Sequence, residues 1–366
     1  MTVTTLDSNR SLAESVRSAR VAGLRYVLDL TPGIARERRG RRSYYVRPNG
    51  TVIRQQACLR RIQSLVIPPA WTDIWICLDP HGHLQATGRD ARGRKQYRYH
   101  PRWNHVRNET KYHRMLTFGR LLPRIRRRVA ADLRRPGLPR DKILATVVRL
   151  LEATLIRIGN EEYARTNESF GLTTLRDRHV TVKGSTLRFE FRGKSGVRHN
   201  VDITDRRLAR IVKQSRDLPG YELFQYIDEQ GARHCITSND VNAYLQQIAG
   251  EDFTAKDFRT WAGTVLAARA LREYEHQCDS LAKAKRNVAA AIGVVAMQLG
   301  NTKAVCRKCY VHPEILEAYF DGTLFQSLRR PIRQASPRPV RHLPPEEAAI
   351  LLLLRERILH PISRPA

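Results

Sequence analysis

Between about His179 and Ile203 the hydrophobic period of this chain changes from that of a helix to that of a strand. Leu187, Phe189 and Phe191 alternate with Arg188, Glu190 and Arg192. A strand with that alternation carries its apolar side chains on one face and its charges on the other. Turn sequences stand on both sides, Lys183-Gly184-Ser185 and Gly193-Lys194-Ser195-Gly196, so the segment predicts a three-stranded antiparallel sheet. Helical patterning surrounds it. Two very basic helices are expected over Tyr112–Leu122 and Ile125–Leu133. Another is expected to open at Asp141 as N-cap and run to Ile158, with Gly159 as C-cap. Further helices are expected over Asp205–Gln214, Ser238–Ile248, Ala255–Tyr274 and Leu281–Leu299, the last ended by Gly300.

The first hundred residues read differently. From Gly40 to Tyr99 the pattern is short and β-like. Arg42–Arg47 leads into the turn signal Pro48-Asn49-Gly50. Trp71–Cys77, the turn Asp79-Pro80-His81-Gly82 and His83–Gly88 follow. Residues 55–66 carry Leu59, Ile62 and Leu65/Val66 at helical spacing, and Pro68-Pro69 stops that helix. Residues 1 to about 21 fit a helix or a loose arm. Strand patterning stops at His100-Pro101-Arg102-Trp103, the expected junction. The fold class is therefore α+β: a small, mostly antiparallel N-terminal domain (1–103), then a larger, mainly helical domain with a three-stranded sheet (104–328). Residues 329–341 hold five arginines and three prolines and read as a basic linker. The apolar segment Pro345–Leu359 reads as a helix that must dock somewhere.

Charge limits the partners. The 366 residues carry a formal net charge of +30. Residues 1–103 hold 19 Lys+Arg against 7 Asp+Glu, or +12, which leaves +18 for the remainder. Charge of this size opposes compaction, and a polyanion is its commonest use. The apolar share of 42% excludes a disordered basic tail. No apolar signal region opens the chain and no apolar run approaches the ~20 residues of a membrane span, so the expectation is a protein of the cytoplasm, at the nucleoid. Six scattered cysteines suit reduced thiols. Cys306-x-x-Cys309 has metal-ligand spacing without a second pair, and no metal site or cofactor is expected.

One group of residues suggests chemistry. Tyr310 stands nine residues after the amide Asn301, among cations; Arg157, Lys194 and Arg259 lie upstream. Breaking a DNA strand without a metal requires fixed donors for the extra charge on the phosphorane oxygens. Arginine suits this because its fork matches two phosphate oxygens and keeps its proton. A phenol can attack phosphorus and form an ester that persists and can be reversed. A lysine held among cations can protonate the leaving 5′-oxygen.

Several short motifs, in order over most of residues 40–325, resemble the type IB DNA topoisomerases of the small poxvirus and bacterial kind. Leu155-Ile156-Arg157-Ile158-Gly159-Asn160 resembles the segment supplying the first catalytic arginine, and Phe191–Gly196 the hairpin that carries the general-acid lysine, here Lys194. Lys256-Asp257-Phe258-Arg259-Thr260-Trp261 resembles the box with the second arginine and an assisting lysine, Lys256. Asn301 stands at the place of a phosphate-binding histidine, a departure from the poxvirus pattern in which an amide replaces a ring, and Tyr310 at that of the nucleophile. Lys95-Gln96-Tyr97-Arg98-Tyr99 resembles a segment that touches bases and phosphates in the major groove, making Gln96, Tyr97 and Tyr99 candidate DNA contacts, with Tyr163 a further one. The resemblance implies a monomer clamping duplex DNA between two lobes. It would cut one strand through a 3′-phosphotyrosyl bond, let the end rotate, and reseal it without ATP or metal.

Each residue also has a plainer reading. Tyr310 is one of 13 tyrosines. Arg157 fits a snorkelling surface arginine, Lys194 a solvated turn residue, and Arg259 a bridge to Asp252 or Asp257. Asn301 fits a left-handed residue after a helix. Gln96, Tyr97 and Tyr99 fit ordinary strand positions, and the Arg124–Arg135 run a solvated helical face. Two other functions stay open: a tyrosine recombinase, which usually shows His-x-x-Arg where this chain has Lys256-x-x-Arg259, and a DNA-binding protein with a dead site.

Overall fold

The computed structural model describes residues 15–39, 42–91, 93–275, 280–329, 340 and 342–359. The chain divides into two compact units, residues 1–112 and 113–366. In the first, residues 15–21 are helical. Five strands follow: β1 (Ile34–Arg39), β2 (Arg42–Val46), β3 (Thr72–Ile76), β4 (Leu84–Arg89) and β5 (Lys95–Tyr99), with helix α1 (Gln56–Ser64) between β2 and β3. The sheet order is β2-β1-β3-β4-β5 and every pairing is antiparallel. Ile62 of α1 packs with Ile34, Ile53, Ile74, Ile76 and Ala86 to make the core. Strand β4, between β3 and β5, is buried along both faces. Its polar residues are satisfied: the Gln85 amide donates to the Gly82 carbonyl (2.7 Å) and accepts from Arg61 (2.8 Å), and Thr87 donates to Asp29 (2.9 Å). Strand β1 was not expected. Its sequence, Ile-Ala-Arg-Glu-Arg-Arg, has no strand period, and pairing on two sides imposes its conformation.

Helix α2 (Pro101–Asp132) is a single 32-residue helix, where the sequence suggested two. Pro123 takes from it the hydrogen bond to the carbonyl of the residue four back and crowds that carbonyl, yet the helix continues through it. That residue is Gly119, packed so tightly that an added Cβ would lie 2.7 Å from the Trp261 ring. Next come α3 (Arg140–Thr154), α4 (Glu161–Asn167), strands β6 (Val180–Lys183), β7 (Thr186–Arg192) and β8 (Arg198–Thr204), and α5 (Arg206–Arg216). The three strands form the expected antiparallel sheet in the order β6-β7-β8. An unexpected hairpin, β9 (Gln225–Ile227) and β10 (Arg233–Cys235), precedes α6 (Ser238–Ala249), α7 (Ala255–Arg272) and α8 (Leu281–Leu299). Three short helices follow, α9 (Lys303–Cys309), α10 (Pro313–Phe320) and α11 (Thr323–Arg329), and finally α12 (Pro345–Leu359). Most of the expected basic linker, 330–339 and 341, lies outside the described residues, as do residues 1–14.

Helix α12 docks as its composition demands. Ala348, Ala349, Ile350, Leu351, Leu353 and Leu354 are buried, and α12 packs on α7, α10 and α11. Arg126 binds Glu347 through two parallel hydrogen bonds (both 2.8 Å) and Glu152 through a third (2.6 Å). The basic run of α2 is therefore partly structural, since Arg128 and Arg135 also pair with Asp132 and Asp141. Arg126→Ala is expected to cost about 1–3 kcal/mol, because it leaves the mostly buried Glu347 carboxylate without its two-bond partner, while Glu152 keeps Arg149 (2.9 Å). Thermal unfolding of the single variant and of Arg126→Ala/Glu347→Ala checks this: the pair is expected to lose less than the sum of its singles.

Candidate active site

Helix α3 ends four residues earlier than its sequence suggests, and that ending builds the site. The N-cap is Pro139, with Asp141 inside the first turn. Thr154 turns its hydroxyl back to the Leu150 carbonyl (2.6 Å) and accepts from the Ile156 amide (3.2 Å). Leu155 takes the left-handed conformation (φ 55), so Gly159 is not the cap. The chain runs on extended, with the Arg157 and Ile158 carbonyls accepting from the Leu172 (2.9 Å) and Thr173 (2.7 Å) amides. Arg157 therefore sits on this extended segment rather than on a helix. Its Nη2 donates to Asn301 Oδ1 (2.5 Å) and to the Gly300 carbonyl (3.3 Å).

Gly300 is the left-handed C-cap of α8 (φ 56), as the sequence suggested. It turns the chain so that the Asn301 amide donates back to the Ala296 carbonyl (3.0 Å). Arginine can only donate, so the atom of Asn301 facing Arg157 must be its oxygen. Its Nδ2 then points toward the Leu299 carbonyl (3.3 Å).

Arg259 lies at the centre. Helix α7 is buried around most of its circumference, and Arg259 is only 3% exposed. Its Nη1 donates to the Leu155 carbonyl at the end of α3 and its Nη2 to the Leu299 carbonyl at the end of α8 (2.7 Å). The guanidinium lies 5.3 Å from the centre of the Tyr310 ring, within cation–π range. Burial, then the nearby positive charge of Arg157, push its pKa down; the Tyr310 phenol works the other way. An arginine keeps its proton under such pressure. Asp257 is taken by the Thr254 amide (2.8 Å) and Arg114 (3.4 Å). Among the described residues neither Arg157 nor Arg259 has a carboxylate partner. Each also keeps one buried donor, Nη1 of Arg157 and Nε of Arg259, that no protein atom accepts. Two uncompensated cations side by side are costly unless an anion joins them.

Tyr310 caps α9, and its amide donates to the Cys306 carbonyl (2.9 Å). The Thr264 hydroxyl, which donates to the Thr260 carbonyl (2.9 Å), lies 3.3 Å from the Tyr310 carbonyl. Gly263 permits that approach, since an added Cβ would lie 2.7 Å from the same oxygen. The fold thus brings together Arg157, Arg259, Asn301 and Tyr310. Lys194 is exposed on the β7–β8 turn and Lys256 exposed in the first turn of α7, one helical turn before Arg259. Among the described residues no hydrogen bond or ion pair links either lysine to the four. Thr264 escaped the sequence reading. So did His199, although the hairpin register that pairs Arg192 with Arg198 sets it opposite Phe191.

The candidate DNA contacts are placed as follows. Lys95, Tyr97 and Tyr99 share one face of edge strand β5, with the two tyrosine rings stacked 6.0 Å apart. Gln96 faces the other way and its amide donates to Asp90 (2.9 Å). Tyr163 is exposed on α4.

Comparison with known proteins gives the same order of parts. Residues 100–327 match the family described as eukaryotic DNA topoisomerase I, catalytic core. Residues 43–90 match that described as bacterial DNA topoisomerase IB, N-terminal domain. The chain is 35% identical over 304 residues to the DNA topoisomerase 1B of Acanthamoeba polyphaga mimivirus, covering 81% of this chain and 90% of that protein. It is 23% identical over 267 residues to the DNA topoisomerase 1B of vaccinia virus (strain Copenhagen), covering 71% of this chain and 81% of that one. The chain belongs to the type IB DNA topoisomerases, and so to the isomerases.

Proposed function

We propose that the protein relaxes supercoiled duplex DNA by swapping a tyrosine oxygen for a sugar oxygen on phosphorus and back again. The observation that carries this is the cluster itself: two fixed, unpaired guanidiniums, one of them against the face of a tyrosine ring. The Tyr310 hydroxyl attacks the scissile phosphate and gives its proton to solvent water. Arg157 and Arg259 take the charge that grows on the non-bridging oxygens. Asn301 orients Arg157 through its oxygen and keeps an N–H group for a phosphate oxygen. Lys194, with Lys256 beside Arg259, gives the leaving 5′-oxygen a proton. The result is a 3′-phosphotyrosyl bond and a free 5′-hydroxyl. That end turns about the intact strand, and its hydroxyl then attacks the phosphotyrosine and restores the backbone. The bond energy stays in the ester, so no ATP is consumed, and no step calls for a metal. The substrate is double-stranded DNA, gripped by a monomer in the cytoplasm at the nucleoid. Tyr97 and Tyr99 on β5, Gln96 behind them, and Tyr163 on α4 touch the duplex.

The test is plasmid relaxation in EDTA without ATP, with denaturant added mid-reaction and the trapped peptide mapped. Relaxation with DNA joined to the Tyr310 peptide supports the reading, and DNA joined elsewhere or nowhere removes it. Lys194→Ala is expected to slow cleavage about 10²–10⁴-fold on ordinary DNA. The loss should be far smaller where the 5′-oxygen is replaced by sulfur, because a thiolate departs without a proton. An equal defect on both substrates would exclude Lys194 as the acid.

A further inference from the structure

The Lys194 turn and the Asn301 turn belong to different elements, and one side chain touches both. The His199 ring stacks on Phe191, its cross-strand partner, with centroids 4.9 Å apart and planes 14° from parallel. One edge of the ring rests on Gly193, where an added Cβ would lie 2.6 Å from both Cδ2 and Nε2. Another corner rests on Gly300, where an added Cβ would lie 2.8 Å from Cε1. Gly193 precedes Lys194 and anchors its turn, donating to the Val197 carbonyl (2.7 Å) and accepting from the Gly196 amide (3.1 Å). Gly300 precedes Asn301, and its carbonyl accepts from Arg157. Contacts this close leave no room for a side chain at either glycine, so the ring sets the spacing between the two turns.

The surroundings favour an uncharged ring. Burial, then the positive charges of Arg157 and Arg259, hold the His199 pKa below its usual value. It therefore fills the space beside two cations without adding a third. A cleft of about 380 Å³ opens next to it, lined in part by Thr154, Leu155, Asn200, Met297 and Gly300. Without the ring, the hairpin tip would keep its bonds from the Phe170 amide (2.8 Å) and the Ser169 hydroxyl (3.3 Å) but lose its contact with the Gly300 turn.

We propose that His199 is a positioning residue that holds the general-acid hairpin in register with the Arg157–Asn301 pair, so that Lys194 reaches the same phosphate the arginines bind. The inference rests on the transesterification reading. It predicts that losing the ring harms the step that needs Lys194 and spares binding and the attack itself.

Single-turnover cleavage is measured on two DNA substrates, one ordinary and one with sulfur as the 5′-bridging atom, for wild type, His199→Ala, His199→Phe and Gly193→Ala. A misplacement of about 1 Å costs up to about 10²-fold, so His199→Ala is expected to lose about 10–100-fold on ordinary DNA and to recover most of that on the sulfur substrate. His199→Phe keeps a flat ring against Phe191 and is expected to recover most of the rate on ordinary DNA. Gly193→Ala approaches the same contact from the other side. Its φ of −98 suits any residue, so its only insult is to push the ring and turn apart, and it is expected to show the same sulfur-rescued defect even if His199→Ala is too unstable to assay. Equal losses on both substrates, or wild-type rates on ordinary DNA for both His199→Ala and Gly193→Ala, would overturn the proposal. If instead the wild type forms no covalent adduct, the transesterification reading itself fails, and the inference falls with it.

Discussion

The Tyr310→Phe variant is expected to fold, to bind DNA as the wild type does, and to relax no plasmid at all. The substitution removes one oxygen. The ring stays over Arg259, and that contact belongs to the ring's face, which phenylalanine shares. The backbone anchor is untouched, because the Cys306 carbonyl holds the amide. The loss in stability should not exceed about 1 kcal/mol, the worth of one ordinary hydrogen bond. DNA affinity should keep its salt dependence, since that slope counts phosphates neutralised by a chain of net charge +30 and the phenol contributes nothing to it. Relaxation should fall below detection, with no DNA-linked protein after denaturation. Filter binding across a salt series, run beside the relaxation assay, separates the two effects. Residual relaxation in this variant would place the nucleophile on another side chain.

The same site shows how far a sequence can be read. Arg157, Arg259, Asn301 and Tyr310 stood out because each lies in a short motif at the edge of a regular element, and the motifs kept their order. Their contacts did not stand out. The Leu151 and Leu155 pair, at i and i+4, continues a helical pattern, yet Leu155 leaves the helix and its carbonyl accepts from a guanidinium 104 residues later. No local rule contains that bond. Asp141 fits an N-cap by type, but Pro139 holds that place and leaves Asp141 to pair with Arg128 and Arg135. The β6–β8 sheet was legible since one face is apolar and the period is clean. Strand β1 and the β9–β10 hairpin were not, because strands of three to six residues carry too little pattern. The α9–α11 helices, seven or eight residues each, are likewise too short for periodicity to stand out. His199 lies on the inward side of β8 like any core residue, and only the contacts at Gly193 and Gly300 distinguish it.

Arg259→Ala should have the next largest effect, and it divides into two parts that can be measured apart. The first concerns the fold. Without the guanidinium, the Leu155 and Leu299 carbonyls lose donors at the ends of two helices, each loss costing about 1–3 kcal/mol where no water replaces it. Against this, the cost of burying a charge beside Arg157 disappears, so the net loss should be nearer 2 kcal/mol. The second part concerns the reaction. Removing one fixed donor from a site that stabilises a developing anion costs about 10²–10³ in rate, and this donor is already held in place before DNA arrives. Arg259→Lys sharpens the comparison. It restores the charge, but one ammonium cannot serve two carbonyls at opposite edges of a planar fork and a phosphate as well. Cleavage by Arg259→Lys should therefore stay close to that of Arg259→Ala, while its DNA affinity stays close to wild type. Urea unfolding gives the stability term, and single-turnover cleavage well below each variant's melting temperature gives the other. Near-wild-type cleavage by Arg259→Lys would mean that charge alone suffices, and that the two-carbonyl clasp serves the fold rather than the reaction.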